Sequence, residues 1–218
     1  MRAASWVLVV LGLSARAAAA GTIVFYGQEV PTETTSIIYV VDLSGSMNGG
    51  RTDFTGLDGQ ATTGSKLDRA KVELIRSIQT LSEDVEFNVF AYDCDLRRWS
   101  PSRLRAEPGA KQSAISWVGL LSAAGATGTG PAVAAALGDK SNFTVVLLSD
   151  GAPNCIGSGW VDEFGTSGGV IGGHLSMIQS NNTQGTKIHC FGIAAYGEFE
   201  RFLRDVASTS GGRYYSVN

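Results

Sequence analysis

An α/β fold is predicted for this 218-residue sequence: a three-layer α/β/α sandwich with an open, mostly parallel sheet and one antiparallel edge strand. Three observations predict it. Two short apolar runs, Ile37-Ile38-Tyr39-Val40-Val41 and Phe143-Thr144-Val145-Val146-Leu147-Leu148, are rich in β-branched residues and read as strands covered on both faces, the setting of central parallel strands. Helical spacing alternates with strand patterning along most of the chain, with a single hairpin. Both central strands run straight into an aspartate, Asp42 and Asp150, at the end where open α/β sheets place their ligands.

In chain order, residues 22–26 form a short strand candidate and 28–36 a polar, proline-containing connector before the strand 37–41. Residues 48–65 are rich in Gly, Thr and Asp without periodicity and read as an exposed loop. Its length suits a functional loop. Asp53 and Asp58 within it are read as solvated surface in preference to a second cation site. From Lys66 the pattern becomes helical, with Leu67, Ala70, Leu74, Ile78 and Leu81 on one stripe and Ser65 with Asp68 in a capping arrangement. The next strand, 85–92, turns Phe87, Val89 and Ala91 to one face and Asn88 and Phe90 to the other. After the turn Asp93-Cys94-Asp95, residues 96–99 return as the antiparallel edge.

Residues 107–123 read as helix, with Ile115, Trp117, Val118 and Leu121 inward. The glycine-rich loop 125–131 carries Thr127 and Thr129, and Pro131 suits the first turn of a helix over 132–137. After the second central strand, 152–173 is another glycine-rich loop, containing Trp160 and Phe164. A helix over 174–182, a strand over 187–193, a helix over 198–208 with Phe199, Phe202, Leu203 and Val206 inward, and a strand over 213–217 complete the chain.

The composition, 44% hydrophobic and 17% charged, fits one globular domain with a sizeable core. A formal charge of -3 without a Lys/Arg cluster argues against a nucleic-acid partner. Residues 1–20 read as a signal peptide: Arg2, the apolar run 6–13, then Ala18 and Ala20 before a cut ahead of Gly21, with a cut after Ala17 as the alternative. The expectation is a domain over 21–218 that is secreted or periplasmic and meets a membrane only through a partner. Export permits disulfides, yet the cysteines number three. Cys190 falls in a strand as a buried thiol. Cys94 and Cys155 lie in loops at the ligand end and pair only if the loops bring them together.

Chemistry concentrates at Asp42-Leu43-Ser44-Gly45-Ser46. A carboxylate and two hydroxyls at alternate positions, with Gly45 allowing a tight turn, can converge on a hard cation that prefers oxygen donors. The sequence around these residues resembles the von Willebrand factor type A domain, from about Ile37 to the C-terminus. Its metal-ion-dependent adhesion site begins Asp-x-Ser-x-Ser, matched by Asp42, Ser44 and Ser46. The family threonine falls on Thr127, with Thr129 as the second choice, and the family's second aspartate on Asp150.

The resemblance implies that Ser44 and Ser46 hold Mg2+ (Mn2+ or Ca2+ being possible), with Thr127 direct or through water and Asp42 and Asp150 mainly through waters. A coordination position left open would accept a Glu or Asp carboxylate from a protein partner. It thus implies a secreted, non-enzymatic, adhesion-type binding module, with specificity from loops 48–65 and 152–173 and from Tyr92, Arg97 and Trp160. The segment between Met47 and Lys66 exceeds the family's usual turn. Two alternatives stand beside this: a structural surface or matrix component whose ion staples loops or whose site is vestigial, and a metal-dependent hydrolase. Hydrolysis wants a general base near the metal, and His174 and His189 both fall outside the ligand loops.

Overall fold

A computed structural model describes residues 21–32, 35–151, 153–157, 160–161 and 168–218. The signal-peptide segment, Phe164 and most of the 158–167 stretch lie outside the described residues. In chain order the elements are β1 (Gly21–Phe25), β2 (Gln28–Thr32), β3 (Ser36–Asp42), a 3-10 turn (Gly45–Asn48), β4 (Thr52–Thr55), β5 (Ala61–Gly64), α1 (Lys66–Thr80), β6 (Glu86–Tyr92), β7 (Leu96–Arg98) and β8 (Leu104–Arg105). Then come α2 (Pro108–Gly119), α3 (Thr129–Leu137), β9 (Thr144–Ser149), β10 (Cys155–Gly157), β11 (Trp160–Val161), α4 (Gly168–Asn181), β12 (Lys187–Ile193), α5 (Gly197–Thr209) and β13 (Tyr214–Val217).

The principal sheet has the order β13-β12-β9-β3-β6-β7, with β8 also paired to β6. Every pairing from β13 to β6 is parallel, while β7 and β8 run antiparallel to β6. The expected antiparallel edge is therefore present but split in two, β8 extending it beside Phe87.

Helices cover both faces. On one, Ile37, Tyr39 and Val41 of β3 and Phe87, Val89 and Ala91 of β6 meet Leu67, Ala70, Leu74 and Ile78 of α1 and Ala114 and Val118 of α2. On the other, Ile38, Val40, Phe90, Val145 and Leu147 meet Ala132, Val133, Ala136 and Leu137 of α3, Ile178 of α4, and Phe202, Leu203 and Val206 of α5. The odd and even residues of β3 thus serve two separate cores, which is why that strand reads as continuously apolar. Ser65 caps α1 in a complete capping box with Asp68.

Helix α3 begins at Thr129 and so takes in three residues that the sequence reading gives to the preceding loop, and the structure departs from that reading in four further places. The connector 28–36 holds β2, which folds back on β1 so that Ile23, Phe25 and Val30 extend the first core. The 48–65 loop contains the β4–β5 hairpin, mostly exposed, in which Asp53 accepts from the Thr63 hydroxyl at 2.7 Å. Helix α2 stops at Gly119 and leaves Leu120 85% exposed. Helix α4 starts at Gly168, so His174 lies within it, and the preceding segment carries the β10–β11 hairpin. The missed hairpins and the start of α4 are short polar or glycine-rich pieces with too little apolar periodicity to declare themselves, whereas the apolar Leu120 and Leu121 carried the reading of α2 past its end. Among the described residues no helix is long and apolar enough to cross a membrane.

Candidate functional site

The strand register sets the floor of the site. β3 and β9 pair Val41 with Leu148, so the next step along each strand sets Asp42 beside Ser149 and leaves Asp150 one residue further out. Asp42 is buried, and its carboxylate takes two neutral donors: the Ser44 amide to Oδ1 at 2.7 Å and the Ser149 hydroxyl to Oδ2 at 2.6 Å. Burial raises the Asp42 pKa to about 6; the bonds from Ser149 and Ser44 oppose this, and the Asp150 charge adds to it.

Beyond Asp42 the chain enters the 3-10 turn. The Ser44 and Ser46 hydroxyls lie 3.0 Å apart, and the Ser46 hydroxyl donates to Asp150 Oδ1 at 2.8 Å. The other Asp150 oxygen accepts from Lys66 Nζ at 2.7 Å, an ion pair in which the lysine side chain is 17% exposed and the aspartate 1%. Asp42, Ser44, Ser46 and Asp150 are thereby joined through main-chain and side-chain bonds into one run that ends on an ammonium.

Thr127 arrives from a third loop. Gly45 N donates to Gly125 O at 2.9 Å and Ala124 N to Leu43 O at 2.7 Å, so this loop is stitched to the β3 turn. Gly125 adopts φ +80°, a conformation that suits glycine, and a Cβ on Gly128 would stand 2.8 Å from the Asp93 carbonyl that its amide contacts at 2.7 Å. The Thr127 amide donates to Asn154 Oδ1 at 2.7 Å, and its carbonyl accepts from Asn154 N at 2.9 Å and Cys155 N at 3.2 Å. Thr127 is buried, and among the described residues no hydrogen bond joins its hydroxyl to the other four site residues. Thr129 turns away, its hydroxyl 3.1 Å from that of buried Tyr92.

Cys94 and Cys155 form a disulfide, tying the β6–β7 turn to β10. Cys190 is a buried thiol, and burial pushes its pKa up. His174 lies beneath the threonine loop, where its Nδ1 accepts from Gly130 N at 2.8 Å; burial depresses its pKa to about 4. His189 is buried in β12, its Nδ1 accepting from Arg213 N at 3.3 Å. Arg97 pairs with Asp93 at 2.6 Å on the rim.

Sequence reasoning missed Lys66, Ser149 and Asn154. A signal for Lys66 existed: the helix after a central strand starts at the sheet's ligand edge, so its first residue falls there. Ser149 follows from strand register, whereas Asn154 depends on a loop closure that no periodicity encodes. Among the described residues, no group of three or more His, Cys, Asp or Glu side chains is gathered to hold a metal. The candidate site offers two carboxylates, and its other oxygens are hydroxyls.

No protein-family model matches the chain. Over an aligned length of 141 residues, covering 59% of this chain and 13% of the relative, the sequence is 26% identical to inter-alpha-trypsin inhibitor heavy chain 4 of Mus musculus. Among solved structures, the von Willebrand factor type A protein from Catenulispora acidiphila superposes with a TM-score of 0.60 at 23% identity, over 92% of this chain and 43% of that one. The PilB minor pilin from Streptococcus sanguinis gives 0.62 at 14% identity over 90% and 57%, and the pilus adhesin SpaC from Lactobacillus rhamnosus GG 0.61 at 16% over 84% and 28%. The chain spans less than two thirds of the length of each of these relatives. The likeness settles the architecture: a mostly parallel sheet between two helical layers, of the von Willebrand factor A-like kind.

Proposed function

We propose that this domain is a secreted or periplasmic, non-enzymatic protein-binding module of the adhesion type, whose site takes a divalent cation that in turn accepts a partner's Glu or Asp carboxylate. Ser44 and Ser46 would hold the ion, with Thr127 beside them and Asp42 and Asp150 contributing charge mainly through waters. Mg2+ suits the hydroxyl-rich donor set, with Mn2+ or Ca2+ as possible occupants. When bound, the ion supplies a positive centre that attracts an external carboxylate oxygen.

The observation that carries this reading is the 3.0 Å spacing of the two serine hydroxyls. Donors at about 2.1 Å on adjacent corners of an octahedron stand roughly 3.0 Å apart, so the pair is set at the spacing magnesium demands. Asp42 is oriented by the Ser44 amide and the Ser149 hydroxyl beneath the serine pair. The Cys94–Cys155 disulfide supports an oxidising compartment. The likeness to a pilus adhesin and a minor pilin supports an adhesive role. Against hydrolysis, His174 has its Nδ1 engaged by the Gly130 amide and His189, within β12, has its Nδ1 engaged by the Arg213 amide.

The test is retention of displayed peptides bearing a central Glu or Asp, with Gln and Asn versions as controls, on immobilised protein in millimolar Mg2+. Retention of the acidic peptides that chelator and Asp42→Ala both abolish is expected, with circular dichroism unchanged in the variant. Equal retention with and without metal sinks the proposal. A second reading, an ion-independent structural module, draws support from the Lys66–Asp150 pair, which already balances one site charge. It requires that Mg2+ leave both melting temperature and peptide retention unmoved.

A further inference from the structure

We infer that Lys66 is a tethered competitor for the cation: its ammonium is the counter-charge of Asp150 in the metal-free protein and has to leave that carboxylate when a divalent ion binds. The inference rests on the ion-site reading above and adds the residue that sets how tightly the ion is held. Three features of the molecule converge on it.

The first is the placement of the charge. Lys66 Nζ lies 2.7 Å from Asp150 Oδ2, while Oδ1 of the same carboxylate takes the Ser46 hydroxyl. The lysine therefore sits at the open end of the hydrogen-bonded run that begins at Asp42, on the Asp150 oxygen that Ser46 leaves free. The second is a broken local rule. Lys66 is the first residue of α1, directly after its Ser65 cap, where the helix dipole disfavours a cation. A charge held against its own helix needs a compensating partner, and the Asp150 side chain, 1% exposed, is that partner. The third is enclosure. Gly50, at φ +69°, passes over the lysine stem, and a Cβ there would stand 3.5 Å from Lys66 Cε. The loop between the 3-10 turn and the β4–β5 hairpin thus passes directly over the lysine, whose side chain remains 17% exposed and so has a route outward.

The consequence is an exchange. With Lys66 on Asp150, the two site carboxylates and the ammonium sum to −1; with Lys66 withdrawn the carboxylates leave −2, and the field at the serine hydroxyls becomes more favourable for a divalent cation. Binding of the ion and seating of the ammonium then oppose each other, so the lysine holds the metal-free site in shape and weakens the resident metal. A partner that draws Lys66 outward with its own acidic group would tighten the ion in the same step.

Chelator-stripped wild type, Lys66→Gln and Lys66→Met are titrated with MgCl2 and with MnCl2 by calorimetry, and each is melted with and without 5 mM MgCl2. Both variants are expected to bind Mg2+ about tenfold more tightly than wild type, to melt lower without metal, and to gain more from it. Equal or weaker binding in variants that retain the wild-type circular dichroism spectrum overturns the competition while leaving the ion site standing. If none of the three proteins takes up either metal at millimolar concentration, the ion-site reading falls and the lysine's role falls with it.

Discussion

The two aspartates at the ends of neighbouring strands are treated in opposite ways. Asp42, following β3, is buried and receives only neutral donors, from Ser44 N and Ser149. Asp150, following β9, receives the Ser46 hydroxyl and a full positive charge from Lys66. Burial leaves Asp42 with a pKa near 6, aggravated by the negative charge of Asp150. The same sequence pattern, an apolar strand running into an aspartate, thus yields one carboxylate held at a cost and one neutralised by a bond reaching from residue 66 to residue 150. The third corner, Thr127, depends on neither. It is fixed by bonds from its main chain to the side chain and amide of Asn154, by the Gly128 contact to Asp93, and by the Cys94–Cys155 bridge across the same loops.

The largest effect expected from perturbing this arrangement falls on that third corner. Replacing both cysteines (Cys94→Ser with Cys155→Ser) reopens a loop spanning 61 positions, which in the chain-entropy account costs about 4 kcal/mol. Urea unfolding should record that loss. Because the Asp42 and Asp150 bonds run through β3, β9 and α1, the double variant should keep any Mg2+ binding within about threefold at temperatures where it is folded. Loss of metal binding along with the bridge would mean that the corners are not independent.

Between the aspartates, the comparison predicts a change of sign. Asp150→Asn removes the partner of Lys66 and weakens the acceptor of Ser46; breaking a buried ion pair costs roughly 3 to 5 kcal/mol, and the partial exposure of Lys66 lets water recover part of it. A loss of about 2 to 3 kcal/mol is expected in metal-free protein. Asp42→Asn does the reverse. The amide oxygen can still accept from Ser44 N, and the Ser149 hydroxyl has the Gly151 carbonyl 3.4 Å away as another acceptor. Because the folded protein holds the Asp42 proton more tightly than the unfolded chain, wild-type stability falls as pH rises from about 4 to about 6. The penalty on the ionised form is worth ~3 kcal/mol at pH 7, so the amide should gain about 1 to 2 kcal/mol there after its imperfect fit. That gain should vanish below about pH 4. Denaturant curves at pH 4 and pH 7 decide it, and a destabilising Asp42→Asn at pH 7 would show that the bonds to Asp42 outweigh its burial.

What could be read from the sequence follows from the same physics. β3 and β9 serve cores on both faces and read as apolar runs, so the centre of the fold and the two strand-end aspartates were legible. Leu67, Ala70, Leu74 and Ile78 announced α1 because only one side of that helix meets the sheet. The β4–β5 hairpin was not legible, since Thr, Gly and Asp on its mostly exposed strands carry no burial pattern, and β10 and β11, three and two residues long, are too short to show one. The motif Asp42, Ser44, Ser46 was visible because its spacing is local. The place of Lys66 at the ligand edge could be read from the start of α1, but its pairing with Asp150 could not, because that needs a chain separation of 84 residues closed by the fold. The pairing of Cys94 with Cys155 was left open for the same reason.

The smallest effect concerns the support beneath Thr127. His174 accepts from Gly130 N through Nδ1 and is buried, with a pKa near 4 against an ordinary 6.5. The unfolded chain therefore binds a proton that the folded protein refuses, and the stability this histidine supplies is complete above about pH 6.5 and is lost as pH falls toward 4. Protonation of Nδ1 would also cancel the acceptor that fixes the first turn of α3, three residues beyond Thr127. His174→Asn places an amide oxygen near Nδ1 without the titration. Between pH 7 and pH 5 the wild type should lose about 1 to 2 kcal/mol more than this variant, read as the difference between their urea midpoints at each pH. Taking that difference removes the opposing trend of Asp42, which both proteins share. Parallel loss in the two would assign the acid sensitivity elsewhere and reduce His174 to a packing residue under α3.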